Sequence, residues 1–393
     1  MHSKIYFFFL LLFVAADTSA QYTLQIKIIT TPSLHQDDGV FVAGNFNKWN
    51  PGDNKYTFSK ENGSLVLQIK NLPAGNYEYK FTRGNWQKVE STISGIGTAN
   101  RTIALSRDTS IECSIDGWAD DFVVPQVNTA SSHVHILDTM FYMPELKRTR
   151  RIWLYLPQDY ATTKKRYPVM YLQDGQNLFD ERTTAFGSEW GVDECLDSLI
   201  AKGKPACIVV GIDNGGATRM NEYNPYEFTM GDSASATSFT PEGEQYLDFL
   251  THTLKPFIDK KYRTLTAKEN TIIAGSSMGG LIAYYATLRY PEVYGKAGIF
   301  SPAFWTAPKI KTFTDSVASK INAKFFFYIG AKEGDRFVKD MNEVAEKLGG
   351  NSNTMIYSVI DEDGEHKENA WRKWFGEFYV WMMADGYNNV IRL

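Results

Sequence analysis

Apolar and polar residues alternate along the first part of the chain in the manner of β-strands. The alternation runs from Tyr22 to about Gly117 and is interrupted by turn sequences at residues 37–39, 62–63 and 73–75. Glycine, asparagine and aspartate at such points favour tight turns between antiparallel strands. The pattern therefore predicts a small all-β sandwich over residues 21–117.

Continuous apolar runs replace this alternation in the second part of the chain. Runs at residues 168–172, 271–273, 323–329 and 355–360 have the length and composition of buried strands of a parallel sheet. Helix-forming sequence follows several of them, and an amphipathic helix begins near Glu368. Residues 134–393 are therefore predicted to form an α/β domain, a mostly parallel sheet flanked by helices. The acidic and then polar stretch 118–133 is predicted to be a linker.

The first twenty residues have the pattern of a secretory signal peptide. Lys4 precedes an apolar core at residues 5–16, and Thr18-Ser19-Ala20 provides small residues for cleavage after Ala20. The apolar core is too short for a stable membrane anchor, and no other run reaches that length. A secreted or periplasmic location is expected, with no membrane span.

Composition agrees with a globular enzyme and excludes some partners. The net charge of −4 argues against nucleic acid or an anionic membrane as the partner. Three cysteines argue against a disulfide scaffold. No group of histidines or cysteines has metal-ligand spacing, so neither metal nor cofactor is expected. The oligomeric state is left open.

Ser277 is the candidate nucleophile. It lies in Gly275-Ser276-Ser277-Met278-Gly279, between the apolar strand that starts at Thr271 and a helix-forming run from Leu281 to Leu288. A serine forced into a sharp strand-to-helix turn needs glycine on both sides, because the backbone passes close to the sheet and the helix. This context predicts a nucleophile elbow rather than an ordinary glycine- and serine-rich turn.

An α/β-hydrolase supplies its acid and its histidine after the serine, each at the end of a later strand. Of the six histidines, only His366 follows the last predicted strand, so it is the candidate base. The loop after the strand at 323–329 carries two carboxylates. Glu333 is preferred as the acid because it is nearer the strand end, with Asp335 as the alternative. The oxyanion hole is expected to combine the backbone N–H groups of Met278 and Gln176.

At this point the residues support a family resemblance. From about residue 150 to residue 383 the chain resembles the esterase D and enterochelin-esterase-like branch of α/β-hydrolases, which also includes feruloyl and acetyl-xylan esterases and mycolyltransferases. The resemblance implies that Gly330 to Glu333 presents the acid. The matching segments, in order, are residues 171–179, 189–193, 219–225, 275–280, 301–305 and 364–371.

The resemblance also suggests the walls of a substrate pocket. It points to the segment Ile212 to Tyr223, which contains Asn214, Arg219 and Glu222, and to the loop at Trp305. Arg219 is expected either to pair with Glu222 or to bind an anionic group of the substrate. The pair Glu189-Trp190 is a further pocket candidate, with a helix N-terminal acid and a core aromatic as the equal alternative.

The N-terminal sandwich resembles starch- and glycogen-binding carbohydrate modules, which have an immunoglobulin-like fold. Residues 40–50 and 72–81 carry the resemblance. It implies a sugar stacked on aromatic rings beside a lysine, with Trp49 and Lys80 at two of these positions. The third position aligns with Val89, and Trp86 lies three residues earlier. Glycan binding and a spacer role are both consistent with this sequence.

The sequence as a whole predicts an exported serine carboxylic-ester hydrolase that acts through an acyl-enzyme. Feruloyl or acetyl esters on glycans are the favoured substrates, and a polysaccharide is a candidate partner of the sandwich. Three alternatives stay open: a siderophore trilactone esterase, an acyltransferase of the same superfamily, and an inactive hydrolase that binds glycan.

Overall fold

A computed structural model describes residues 20–122, 128–184, 187–230, 236–384 and 390–392. The chain divides into two compact units, Met1–Gln126 and Val127–Leu393. The predicted signal peptide lies outside the described residues except for Ala20. In the part of the chain that is described, no helix is long and apolar enough to cross a membrane.

The first unit is built of short strands. Alternate residues of its first strand, Leu24, Ile26 and Ile28, are fully buried, as the alternation predicts. The strands form sheets of order β3-β4-β1-β8, β2-β5-β7 and β6-β9, and the two larger sheets share one hydrophobic core. The strands are β1 (Gln21–Thr30), β2 (Phe41–Gly44), β3 (Ser59–Glu61), β4 (Ser64–Pro73), β5 (Gly75–Thr82), β6 (Glu90–Ser91), β7 (Arg101–Leu105), β8 (Thr109–Ser114) and β9 (Gly117–Trp118).

Both ends of the predicted linker 118–133 include residues that pack on a unit. Trp118 is 1% exposed and lies in the core of the first unit, where β9 pairs with β6. In the second unit, the Thr129 hydroxyl donates to Glu189, and the Ser131 N–H donates to Asp193. A polar sequence therefore does not by itself mark an unpacked segment.

The second unit contains a nine-stranded sheet of order β10-β11-β13-β12-β16-β17-β18-β19-β20. The first two strands are antiparallel to their neighbours, and the pairs from β13 to β20 are parallel. A separate hairpin pairs β14 with β15. The strands are β10 (Val134–Met143), β11 (Arg148–Tyr155), β12 (Val169–Gln173), β13 (Ile208–Ile212), β14 (Phe228–Met230), β15 (Thr237–Phe239), β16 (Thr271–Ser276), β17 (Lys296–Phe300), β18 (Lys324–Gly330), β19 (Met355–Asp361) and β20 (Val390–Arg392).

Helices cover this sheet, and a π-helical segment, Phe249–Leu254, joins two of them. Neighbouring residues of one strand belong to different cores: Phe325 and Phe327 pack in one, Phe326 and Tyr328 in the other. A sheet buried on both faces explains the continuous apolar runs of the sequence. The helices are α1 (Val192–Ala201), α2 (Arg219–Glu222), α3 (Gly243–Asp248), α4 (Lys255–Lys261), α5 (Met278–Arg289), α6 (Lys309–Val317), α7 (Asp335–Gly349) and α8 (Glu368–Met383).

Candidate active site

Ser277 occupies a strained turn between β16 and α5. Its backbone has φ 57° and ψ −121°, a conformation that a residue with a side chain rarely adopts. A Cβ on Gly275 would lie 2.8 Å from the backbone of Gly279, so this close approach requires glycine. The Ser277 N–H donates to the carbonyl of Phe300 at 2.9 Å. The geometry is that of a nucleophile elbow, as the sequence predicts.

Glu333 holds His366 in one orientation. The His366 Nδ1–H donates to Glu333 Oε2 at 2.6 Å. Glu333 Oε1 accepts two further hydrogen bonds, from the Ser301 hydroxyl at 2.6 Å and the Gly330 N–H at 2.9 Å. A carboxylate only accepts, so the proton of this His366 tautomer lies on Nδ1 and Nε2 is free to act as a base.

Ser301 was not singled out by the sequence. It is 2% exposed, has φ 44°, and accepts a hydrogen bond from Trp371 Nε1 at 2.9 Å while its own hydroxyl donates to Glu333. Trp371 in turn contacts the His366 ring edge-on, with ring centres 5.3 Å apart. The Ser301 hydroxyl therefore holds the Glu333 carboxylate, and Trp371, which is hydrogen-bonded to the same hydroxyl, packs against the His366 ring. The only sequence signal was that Ser301 begins one of the family segments.

Asp335, the alternative acid, is in a different position. It is the first residue of α7 and lines a shallow depression on that helix with Val338 and Lys339. Across the described residues it makes neither a hydrogen bond nor an ion pair with His366. The structure therefore pairs the histidine with Glu333 and not with Asp335.

One predicted oxyanion donor, Met278, follows Ser277 in the chain, and the other belongs to a residue that lines the same cavity as Ser277. The N–H of Met278 is the first of α5 and has no acceptor within that helix. Gln176 lies in the turn Gly175–Asn177 that follows β12, and it lines the same cavity as Ser277. Its side-chain Oε1 accepts a hydrogen bond from the Asn214 N–H at 3.1 Å, which fixes the turn to the neighbouring loop.

Two cavities meet at Ser277 and His366. The larger has a volume of about 500 Å³ and the smaller about 230 Å³. The smaller is lined by Ser277, Ser301, Pro302, Trp305, Glu333, Phe337 and His366. The larger is lined by Asp174, Gln176, Asn177, Asn214, Gly216, Arg219, Ser276, Ser277, His366, Lys367, Glu368 and Trp371.

Arg219 and Asn214 line the larger cavity, but the expected pairing of Arg219 with Glu222 is wrong. Arg219 donates two hydrogen bonds to Asp174, both 2.8 Å long, and Asn214 Nδ2 donates to the same carboxylate at 2.7 Å. Because Asp174 neutralises the charge of Arg219, this arginine does not offer an unpaired cation for an anionic group of the substrate.

Glu222 is fully buried and does not line the cavity, which corrects its assignment as a pocket residue. It forms ion pairs with Arg148 at 2.8 Å and Arg150 at 2.7 Å. A buried carboxylate needs such partners, and this network anchors the loop that carries Asn214.

Glu189 and Trp190 are also not pocket residues. Trp190 is 2% exposed and packs on Phe300 and Trp371 in the core. Glu189 is 1% exposed, and burial raises its pKa to about 8. The core aromatic alternative is therefore correct. The Trp190 N–H donates to the carbonyl of Asn177, so this residue helps to hold the turn Gly175–Asn177 in place.

In the first unit, the structure brings the two candidate tryptophans together. The rings of Trp49 and Trp86 are 6.2 Å apart at an angle of 39°, and Trp86 is 40% exposed. The Lys80 ammonium donates to the carbonyl of Thr98, and burial lowers its pKa. Trp86 is thus beside Trp49 although Val89 occupies the aligned position.

No group of three or more histidine, cysteine, aspartate or glutamate side chains able to hold a metal ion is found in the described part of the chain.

The chain is similar to known proteins in sequence and in fold. The sequence model of the family described as "Putative esterase" matches residues 143–379, which is more than half of the chain. The chain belongs to this esterase family. It is a carboxylic ester hydrolase with an α/β-hydrolase fold preceded by a β-rich unit.

Individual proteins are similar to this esterase in sequence or in structure. It is 31% identical to the uncharacterized protein YbbA of Bacillus subtilis, over 47% of this chain and 69% of that protein. It is 28% identical to an endo-1,4-beta-xylanase/feruloyl esterase of Xylanibacter ruminicola, over 62% of this chain and 30% of that protein. The crystal structure of the enterobactin esterase FES from Shigella flexneri shares the fold, with a TM-score of 0.53 and 17% identity over 88% of this chain and 87% of that one.

Proposed function

We propose that this esterase uses Ser277, His366 and Glu333 as a catalytic triad. The observation that carries the proposal is the 2.6 Å hydrogen bond between Glu333 and His366, beside a serine held in an elbow and facing the same cavity. Glu333 orients the imidazole and stabilises its charged form, which is the role of the acid in such a triad.

The reaction proceeds in two halves. His366 Nε2 takes the proton of Ser277 as its Oγ attacks the ester carbonyl, and the resulting oxyanion accepts hydrogen bonds from the N–H groups of Met278 and Gln176. The intermediate expels the alcohol, which receives the proton from His366, and leaves an acyl-enzyme. Water then adds with the help of His366 and releases the carboxylic acid and free Ser277.

A fluorophosphonate probe tests the nucleophile. The probe should label Ser277, and Ser277→Ala should lose both the label and most of kcat, on the order of 10⁴-fold. Ser276→Ala is the matched control, because this neighbouring serine also lines the cavity. Labelling at Ser276, or full activity of Ser277→Ala, would exclude the proposed nucleophile.

The charge of the larger cavity favours a neutral substrate. Its lining carries the carboxylates Asp174 and Glu368 and the cations Arg219 and Lys367, and Arg219 is already paired. A substrate with a net negative charge would meet no excess of positive charge there. Feruloyl or acetyl esters on glycan are therefore the favoured substrates, and the name of the Xylanibacter relative supports this choice.

A library of esters separates the substrate hypotheses. Feruloyl and acetyl sugar esters should be cleaved at least tenfold more efficiently than a siderophore trilactone, with Ser277→Ala as the blank. Adding a sugar acceptor to the reaction distinguishes a hydrolase from an acyltransferase, because transfer would give a new ester in place of free acid. A chain that cleaves no ester, including p-nitrophenyl acetate, would support the inactive glycan-binding alternative.

The first unit is proposed to bind polysaccharide through Trp49 and Trp86. Two neighbouring rings inclined at 39°, one of them 40% exposed, offer apolar faces on which a sugar ring can stack. Affinity electrophoresis of the whole chain in gels with starch, glycogen or xylan should show retardation that Trp86→Ala removes. Ile96→Ala, another exposed apolar residue of this unit, is the control. Free migration of the unaltered protein would favour the spacer role.

Export through a signal peptide cleaved after Ala20 is likewise a proposal, supported by the sequence pattern alone. Expression of the full chain in a Gram-negative host, followed by N-terminal sequencing of the periplasmic fraction, should give a chain beginning at Gln21. An unprocessed chain in the cytoplasm would contradict it.

A further inference from the structure

The two cavities that meet at Ser277 are lined by different kinds of side chain. Around the smaller one, beyond the triad and Ser301, lie Pro302, Trp305 and Phe337, and Trp305 is 37% exposed. Around the larger one lie mostly side chains with charged or amide groups. An ester has an acyl half and an alcohol half joined at the carbonyl carbon, and Ser277 and His366 line both cavities, so each cavity can take one half of the substrate.

The larger cavity offers paired donors and acceptors. Glu368 is 4% exposed, and its carboxyl accepts hydrogen bonds from Asn177 Nδ2, at 3.3 Å on Oε1, and from its own backbone N–H. A carboxylate has about four acceptor positions, so it can accept further hydrogen bonds. Arg219 uses Nε and Nη2 for Asp174, and its Nη1 makes no hydrogen bond within the residues described. A hydroxyl group both donates and accepts, so it suits a carboxylate and a guanidinium N–H on the two sides of one cavity.

From this contrast we infer that the ester binds in one orientation, with a hydroxyl-rich alcohol group in the larger cavity and the acyl group against Trp305 in the smaller one. Glu368 and Arg219 then recognise the hydroxyls of the alcohol, and Trp305 recognises an aromatic acyl group by stacking. The inference rests on the proposed esterase reaction at Ser277 and adds which residues select each half of the substrate.

The volumes agree with this division. The larger cavity, about 500 Å³, is within the usual range of small-molecule sites and has room for a sugar. The smaller one, about 230 Å³, is bounded on one side by an exposed indole, a surface suited to a flat ring.

A set of four substrates tests the orientation: the cinnamoyl and acetyl esters of a methyl arabinoside, and the methyl esters of the same two acids. Trp305→Ala should raise KM about tenfold for both cinnamoyl esters and much less for both acetyl esters. Glu368→Gln should raise KM about tenfold for both arabinoside esters and much less for both methyl esters, because only a sugar hydroxyl loses its carboxylate partner.

Matched controls separate recognition from disturbance of the fold. Glu362→Gln removes an exposed carboxylate of the loop before His366, and Tyr142→Ala removes an exposed aromatic ring of β10; neither should change any of the four KM values. If Glu368→Gln raised KM equally for all four esters and also lowered kcat, Glu368 would only support the turn Gly175–Asn177 through its hydrogen bond with Asn177. That result would overturn its assignment as a residue that recognises the alcohol group.

The opposite pattern is equally decisive. In that pattern, Trp305→Ala would raise KM only for the two arabinoside esters, and Glu368→Gln only for the two cinnamoyl esters. That result would mean that the ester binds in the reverse orientation. Failure of the proposed function is distinguishable from either result, because it would appear as absent fluorophosphonate labelling of Ser277 in the unaltered enzyme.

Discussion

At the scale of single residues, the identity of the acid is the sharpest question. Glu333→Gln should lower kcat by about 10³- to 10⁴-fold, because an amide in place of the carboxylate misorients His366 and removes its charge partner. Asp335→Asn, the matched control, should change kcat less than threefold, since Asp335 lies on a different surface. Steady-state kinetics of both variants decides between them, and the reverse ranking would move the role of the acid to Asp335.

Ser301 is predicted to be a positioning residue for that acid. Ser301→Ala removes one of the hydrogen bonds to Glu333 and the acceptor of Trp371 Nε1. Hydrogen bonds to charged groups contribute about 1.5–3 kcal/mol, so kcat should fall tenfold or more. Because Ser301 does not hold the substrate in this account, KM should stay within a factor of two. A variant that changed KM alone would place Ser301 in substrate binding.

The sequence could predict the proposed triad because its three members follow one another in a fixed order at strand ends. It could not show the partner of Arg219, since Asp174 is 45 residues away in the sequence. It also did not show Ser301, whose role depends on Trp371, 70 residues away. It left the pocket and the core equally open for Glu189 and Trp190, because closeness in sequence to a loop of the site does not say which way a side chain points.

At the scale of elements, the turn Gly175–Asn177 should be sensitive to any added bulk. A Cβ on Gly175 would lie 2.8 Å from the backbone carbon of Ile212, so Gly175→Ala must displace the turn and with it the N–H of Gln176. Loss of one oxyanion donor costs about 10²- to 10³-fold in kcat. Kinetics and a thermal melt should show a large loss of activity in a folded protein.

Gly75→Ala is the control for this prediction, because nothing lies within 4 Å of an added Cβ there. If Gly175→Ala kept full kcat, the N–H of Gln176 would not be an oxyanion donor. The strand and helix pattern made this turn predictable, but the need for glycine follows from its closeness to β13, a contact that only the fold creates.

At the scale of the whole molecule, buried carboxyls should make stability depend on pH. Glu189 has a pKa of about 8 in the folded protein against about 4.5 ordinarily, so the native state binds the proton more tightly than the unfolded state. The free energy of unfolding should therefore fall as pH rises from about 4.5 to about 8. Glu189→Gln, measured by urea unfolding across this range, should show a shallower fall than the unaltered protein.

The exposed substitution Glu362→Gln should leave the slope unchanged and serves as the control for Glu189→Gln. A slope that Glu189→Gln does not alter would mean that Glu189 is ionised in the folded protein. The pattern of the chain predicted the order of its parts, a β unit before an α/β unit, whereas buried carboxyls of this kind become visible only when tertiary packing is known.

The central claim is that Ser277 forms an acyl-enzyme with the help of His366 and Glu333. The most direct measurement is rapid acid quenching of the enzyme during turnover of p-nitrophenyl acetate, followed by mass spectrometry of its peptides. The account predicts one acetyl group on Ser277, absent in Ser277→Ala and still present in Ser276→Ala. Full turnover with no covalent intermediate, or acetylation at Ser276 instead, would contradict it.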